Sequence, residues 1–280
     1  MLRDYLRFPG FLRKAVTLSY DDGIRQDKKL VEIMKRYGIR GTFNINAGGI
    51  AEEITNPKSG KLTAEEISET FIPNGMEIAC HGFKHLSLGR VPMSIGAADI
   101  IDDRRVLERL TGDIINGLAY ANGTYNDDVV SLLRSLGIKY ARTVKNTEAF
   151  GLFDDPLVWN PTCHHNNPRL MELAKDFVTE EGIKPYYLQH TKLFYLWGHT
   201  YEFDNDNNWD VIEDFCKYIG GREEIWYATN GEIAAYVEAY DRLVFSMDLS
   251  RVYNPSSTDL YLWIKKNNVL VPAGKTVELD

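Results

Sequence analysis

Short apolar runs alternate with amphipathic helical segments from about residue 15 to residue 240, and this alternation limits the possible folds more than any other feature of the sequence. Ala15 to Tyr20 reads as a buried strand, and Gly41 to Asn46 as the next one. Between them Leu30, Ile33, Met34 and Tyr37 recur at helical spacing, and Gly38 closes the segment. A strand, helix and strand so joined make a right-handed unit whose strands run parallel. The beat continues through Met76 to Cys80, the helix Ile95 to Leu110, Gly117 to Tyr120, the helix ending at Leu136, and Ile138 to Val144. It resumes with the helix Arg169 to Phe177, then Lys192 to Gly198, the helix Trp209 to Tyr218, Ile225 to Ala228, and the helix Ile233 to Tyr240 behind the cap Thr229. Residues 48–60 and 159–165 read as loops, and Thr63 as a helix cap. No linker interrupts this series, so the expected fold is α/β, a distorted (β/α) barrel of seven or eight parallel strands over residues 1–241. From Leu243 onward the texture changes to short β segments with turns at Pro255, Asn267-Asn268 and Ala273-Gly274. Residues 242–280 are therefore expected as a C-terminal β appendage packed on the barrel, closing its end or mediating self-association into a homo-oligomer.

Composition narrows the function. The chain has 280 residues, 44% of them hydrophobic, which suffices for a packed core. Its net charge of −8 and lack of any Lys/Arg run argue against nucleic acid or an anionic membrane surface as partner. Cys80, Cys163 and Cys216 are scattered and odd in number, so they read as free buried thiols. The first sixteen residues are broken by Arg3, Asp4, Arg7 and Pro9, which leaves no signal-peptide core or membrane span, and a cytoplasmic location is expected.

The chemistry sits at strand ends. Asp21 and Asp22 follow the first strand directly, and Gly23 marks where the backbone leaves the sheet. Adjacent carboxylates repel, so such a pair is stable when solvated, shared with a proton, or held by a cation. His81 and His85 follow the strand Met76 to Cys80, and a spacing of four would put both rings on one side of a helical turn. One aspartate and two histidines make three protein ligands, and a vacant fourth position is the mark of a catalytic metal site. Asn44 or Asn46 would face it, and His199 is a third histidine delivered by a strand end. Such a ligand set suits zinc first, with Co, Ni, Fe and Mn also compatible.

In this order the elements resemble the polysaccharide deacetylase family of carbohydrate esterases, the group sharing the NodB homology domain. The first motif of that family, TFDDG, stands here as Ser19-Tyr20-Asp21-Asp22-Gly23, and the second, HSxxH or HTxxH, as His81-Gly82-Phe83-Lys84-His85. Leu196-Trp197-Gly198-His199 matches the late strand that ends in a catalytic histidine. The resemblance implies that Asp22, His81 and His85 bind one divalent ion, that Asp21 is the general base and His199 the general acid, and that a backbone N–H at Asn122 stabilises the oxyanion. It implies removal of acetyl from an N-acetylated sugar or oligosaccharide. Tyr125, Trp159, Trp197 and Tyr201 would offer faces to sugar rings, and His165 a further substrate contact. The third motif, RxPY, is absent: the turn reads Ala119-Tyr120-Ala121-Asn122-Gly123, and Arg25 and Arg142 are the candidates to replace its arginine. Hydrolysis of another small amide or cyclic imide, and non-catalytic carbohydrate binding on the same scaffold, are the alternatives.

Overall fold

The structure, a computed structural model, describes residues 3–56, 58–179 and 190–279. The chain opens on a two-residue strand, β1 (Leu6–Arg7), which joins a small sheet described below. The main sheet is parallel and contains β2 (Lys14–Asp21), β3 (Gly41–Ile45), β4 (Glu77–Cys80), β5 (Gly117–Ala119), β6 (Tyr140–Arg142), β7 (Cys163–His164), β8 (Lys192–Gly198) and β9 (Ile225–Tyr227). Its order is β6-β5-β4-β3-β2-β8-β7, and β9 also pairs with β2. The expected distorted (β/α) barrel is thus the fold found, as a curled parallel sheet clad by helices.

Period-two alternation along β2 separates the two faces. Val16, Leu18 and Tyr20 enter the apolar layer between sheet and helices. Thr17, Ser19 and Asp21 point the other way into a polar barrel interior, where Thr17 bonds Asn230 and Ser19 and Asp21 bond Asn44. The helices are α1 (Asp27–Arg36), α2 (Ala47–Thr55), the short α3 (Ala64–Glu66), α4 (Met93–Thr111), α5 (Asp127–Ser135), α6 (Leu170–Thr179), α7 (Thr200–Asn205), α8 (Trp209–Ile219) and α9 (Asn230–Asp241). Helix α1 buries Leu30, Val31, Ile33 and Met34, the stripe that its sequence spacing dictates. Thr63 and Thr229 each close a capping box with the glutamate three residues on.

Two segments differ from expectation. Residues 48–60 read as loop because of Gly48, Gly49 and Pro57, yet Ala47–Thr55 is helical, its first N–H satisfied by Asp103. The segment 159–165 contains β7, too short at two residues to leave a periodic signal, and its register is set by pairing with Leu196 and Trp197.

The C-terminal segments are β10 (Val244–Phe245), β11 (Arg251–Tyr253), β12 (Leu260–Ile264), β13 (Asn267–Val271) and β14 (Thr276–Glu278). They form two antiparallel sheets, β10-β11-β14 and β1-β12-β13, the latter tying residue 6 to residue 262. Leu260, Leu262 and Val271 share one apolar cluster with Ile233 and Val237 of α9 and with the inward-facing Ala15, Tyr140 and Tyr195 of the barrel. Each leucine buried there contributes roughly 1.5–3 kcal/mol. All three cysteines are buried and free. Among the described residues no helix is long and apolar enough to cross a membrane.

Candidate functional site

Strand β2 delivers Asp21 pointing inward, and the chain then turns through left-handed backbone at Asp22 (φ 81°) and Gly23 (φ 56°). That turn swings the Asp22 carboxylate toward β4, where its Oδ1 lies 3.6 Å from His81 Nε2 and 3.5 Å from His85 Nε2. The two histidines do not meet on a helical turn as their spacing suggested. Gly82 (φ 79°) and His85 (φ 54°) fold the segment into an irregular turn, and the rings stand 4.8 Å apart and 68° to each other. Helix α4 holds this turn in place. Asp103 accepts hydrogen bonds from the N–H groups of Ala47, His81 and Gly82, and Asp99 accepts one from Lys84. Burial pushes the Asp103 carboxyl up to about 7 despite those donors. The φ of 79° at position 82 favours the glycine found there, and a Cβ would lie 2.6 Å from Asp99 Oδ2, so that carboxylate would have to shift.

The residues present fit a divalent cation. His81 Nδ1 sits 2.9 Å from the carbonyl oxygen of Ala119 at the end of β5. A carbonyl only accepts, so Nδ1 carries the proton and Nε2 turns its lone pair toward Asp22. The three donor atoms of Asp22, His81 and His85 all lie within 4.8 Å of one another.

Asp21 is 2% exposed and fully engaged. Asn44 Nδ2 donates to its Oδ1 at 2.8 Å and also to Ser19 Oγ, while Arg142 on β6 donates to its Oδ2. Burial opposes ionisation of Asp21, but Arg142 foremost, with His81 and His199, holds its carboxyl below the ordinary carboxylate range. Arg142 is itself completely buried, its guanidinium 4.4 Å from the centre of the Trp197 ring. It thus stands where the missing RxPY arginine would be needed, reaching Asp21 from a different strand. Arg25, the other candidate, pairs with Glu66.

His199 directly follows strand β8 at the start of α7; its Nε2 is 3.9 Å from Asp21 Oδ2 and its Nδ1 is 3.0 Å from Glu202 Oε1 on α7. Burial alone would lower the pKa of His199, yet Glu202 and the Asp21 and Asp22 charges raise it above the usual value. Glu202 Oε2 in turn faces His165 Nε2 at 2.9 Å and His164 Nε2 at 3.4 Å. This group also has the composition of a metal site, but its tautomers do not. His164 Nδ1 accepts the N–H of Asn166, so its proton is on Nε2, toward Glu202. His165 Nδ1 is buried against Gly198 with no partner, which likewise favours a proton on Nε2. Both Nε2–H groups therefore face the Glu202 carboxylate that orients His199, and these neighbours hold its pKa well below the carboxylate range against the pull of burial.

The aromatic residues divide. Trp159 is 1% exposed among Tyr140, Phe153 and Tyr195, so its face belongs to the core. His165 is buried and stacked on Phe203 and Tyr20. Trp197 is nearly buried and donates to Asn146, whereas Tyr201 and Tyr125 are each 37% exposed, the former 5.3 Å from the His199 ring and the latter stacked on Tyr120. Asn122 occupies the loop after β5 in left-handed backbone (φ 55°), its amide donating to Ser87 Oγ. Glu202 and Asp103 carried no sequence signal beyond their charge, because their partners are set by the tertiary fold.

No curated protein matches the chain in sequence. Among solved structures, the Streptococcus pyogenes deacetylase PplD in complex with acetate is 21% identical with a TM-score of 0.50, over 55% of this chain and 65% of that one. This chain thus spans just under two thirds of the PplD length. Puue allantoinase superposes with a TM-score of 0.59 at 13% identity, covering 81% of this chain and 91% of the other. A family 4 carbohydrate esterase from Streptomyces lividans in complex with acetate gives 0.52 at 13% identity, covering 78% and 93%. These likenesses speak to the fold. The family described as Polysaccharide deacetylase matches residues 10–141, just under half of the chain and the stretch that carries the acid pair, both histidines and the strands that hold them.

Proposed function

We propose that the chain is a metal-dependent hydrolase that removes N-acetyl groups from an N-acetylated sugar or oligosaccharide. The observation that carries this reading is the meeting of Asp22, His81 and His85 around one point, with Asp21 Oδ2 3.8 Å from His81 Nε2 and His199 Nε2 3.9 Å from that same oxygen. Asp22, His81 and His85 would hold the ion, which when bound polarises the amide carbonyl and lowers the pKa of water. Zinc is the first choice, with Co, Ni, Fe or Mn compatible with the same donors. Asp21, kept ionised by Arg142, would take the proton from the attacking water. Its Oδ1 bond to Asn44 fixes which oxygen points into the cleft. His199, kept protonated by Glu202, would give its proton to the leaving nitrogen, without which an amine departs poorly. A backbone N–H at Asn122 remains the proposed oxyanion donor, and Tyr125 and Tyr201 the exposed ring faces for a sugar.

The test is acetate release from N-acetylglucosamine oligomers by zinc-loaded protein, with Asp21→Asn and His199→Ala as controls. Release that both substitutions abolish is expected. Metal-loaded protein that hydrolyses no N-acetyl sugar but opens another linear or cyclic amide would move the assignment to that class, and binding without any hydrolysis would leave a carbohydrate-binding scaffold.

A further inference from the structure

On the side of the cleft next to His85 lies a cavity of about 560 Å³ whose lining includes Asp22, His85, Phe83, Lys61 and Lys84. Lys61 is placed there by construction. Its stem runs across Gly49, where a Cβ would come within 3.2 Å of Lys61 Cγ and Cδ, and its Nζ donates to the Asp22 carbonyl at 3.0 Å. An ammonium has three N–H donors, so that bond leaves two. Lys84 belongs to the turn between the two histidines, with its backbone N–H fixed by Asp99 and its side chain exposed. The anions on the far side of the site are already answered, Asp21 by Arg142 and Glu202 by His165 and His199. Among the residues that line this cavity two ammonium groups stand against one carboxylate, Asp22, with the Asp99 carboxylate behind the turn near Lys84, in a chain whose net charge is −8. A neutral sugar gives those donors nothing that water does not.

We propose that this cavity receives an acidic substituent, a carboxylate or a phosphate, carried on the sugar close to the amide that is cleaved. The sugar and the amide rest on the function proposed above; the anion rests on Lys61 and Lys84. Hydrogen bonds from an ammonium to an anion in a partly enclosed site support about a tenfold preference.

The experiment measures binding by calorimetry to the zinc-loaded Asp21→Asn protein, so that turnover plays no part. The probes are N-acetylglucosamine, its 6-phosphate and its 3-O-lactyl ether, the last two separating phosphate from carboxylate. At least one acidic probe is expected to bind about tenfold tighter than the neutral parent at low salt. That advantage should shrink in Lys84→Met, vanish in Lys61→Met/Lys84→Met with zinc content unchanged, and fade at high salt. Equal affinity for all three probes, no binding of either acidic probe, or an advantage that survives the double substitution overturns the proposal. Acetate release by the unsubstituted protein is read separately: lysine-dependent binding of an acidic probe without release of acetate from any sugar sinks the deacetylase reading and leaves the anion pocket standing.

Discussion

Replacing Arg142 with methionine removes the only full positive charge bonded to Asp21 among the described residues, and both side chains are out of water. Removing one partner of a buried ion pair costs roughly 3–5 kcal/mol, because the remaining charge is stranded. Asn44 still donates to Oδ1, which argues for the lower end of that range. The sign with pH follows from the direction of the shift. In the folded protein the Asp21 carboxyl sits below its ordinary value, so its stabilising contribution is complete above the unfolded value of about 4 and is lost as pH falls through the folded one. Arg142→Met should therefore be most destabilising near neutral pH, with the gap to the parent protein narrowing below about pH 4. Burial then dominates at Asp21, and if about 3 kcal/mol of the pair is lost, the acid limb of the rate profile moves up by roughly two pH units. Urea unfolding of metal-free protein at several pH values and a pH profile of kcat/KM read the two effects. In the double variant Arg142→Met/Asp21→Asn no charge is stranded, so it should be more stable than Arg142→Met alone. A single substitution that costs under about 1 kcal/mol and leaves the acid limb in place would refute the reasoning.

Three further outcomes follow from the same geometry. Glu202→Gln keeps a hydrogen-bond acceptor for His199 but removes the charge that raises its pKa, so the alkaline limb of the rate profile should move to lower pH while zinc content stays the same; an unmoved limb would count against Glu202 as the group that keeps His199 protonated. Gly82→Ala places a Cβ 2.6 Å from Asp99 Oδ2 at a φ of 79°, and should cost at least about 1 kcal/mol in thermal or urea unfolding and weaken zinc binding by shifting His81. Asp103→Ala leaves the N–H groups of Ala47 and Gly82 without an acceptor and removes one of the two acceptors of His81, whose N–H also reaches the Ile45 carbonyl, a loss of roughly 2–5 kcal/mol; unfolding that matches the parent protein would show the turn to be held by other means.

Local pattern carries the elements, while partners from distant strands carry much of the site. Asp21, Asp22, His81, His85 and His199 were legible because each follows an apolar strand, and a parallel sheet gathers the carboxyl ends of its strands. The spacing of His81 and His85 suggested a helix, but Gly82 permits left-handed backbone and a tighter turn brings the rings together instead. Arg142 could be placed only among candidates, since the register of β6 decides that it points inward at Asp21 across 121 residues of chain. Trp159 shows the opposite difficulty. An aromatic beside a polar stretch suits a sugar platform, yet a parallel bridge to Arg142 draws it into the core. Helix α2 escaped notice because glycines at its start lower helix propensity, and tertiary contacts from Asp103 and Phe83 override that cost.

The division of labour between the two adjacent acids is tested most directly by metal analysis of purified, dialysed variants. The account predicts about one zinc per chain in the parent protein and in inactive Asp21→Asn, and an empty site in His81→Ala, because two protein ligands rarely retain zinc. Zinc lost equally from Asp21→Asn, or kept in full by His81→Ala, would contradict it.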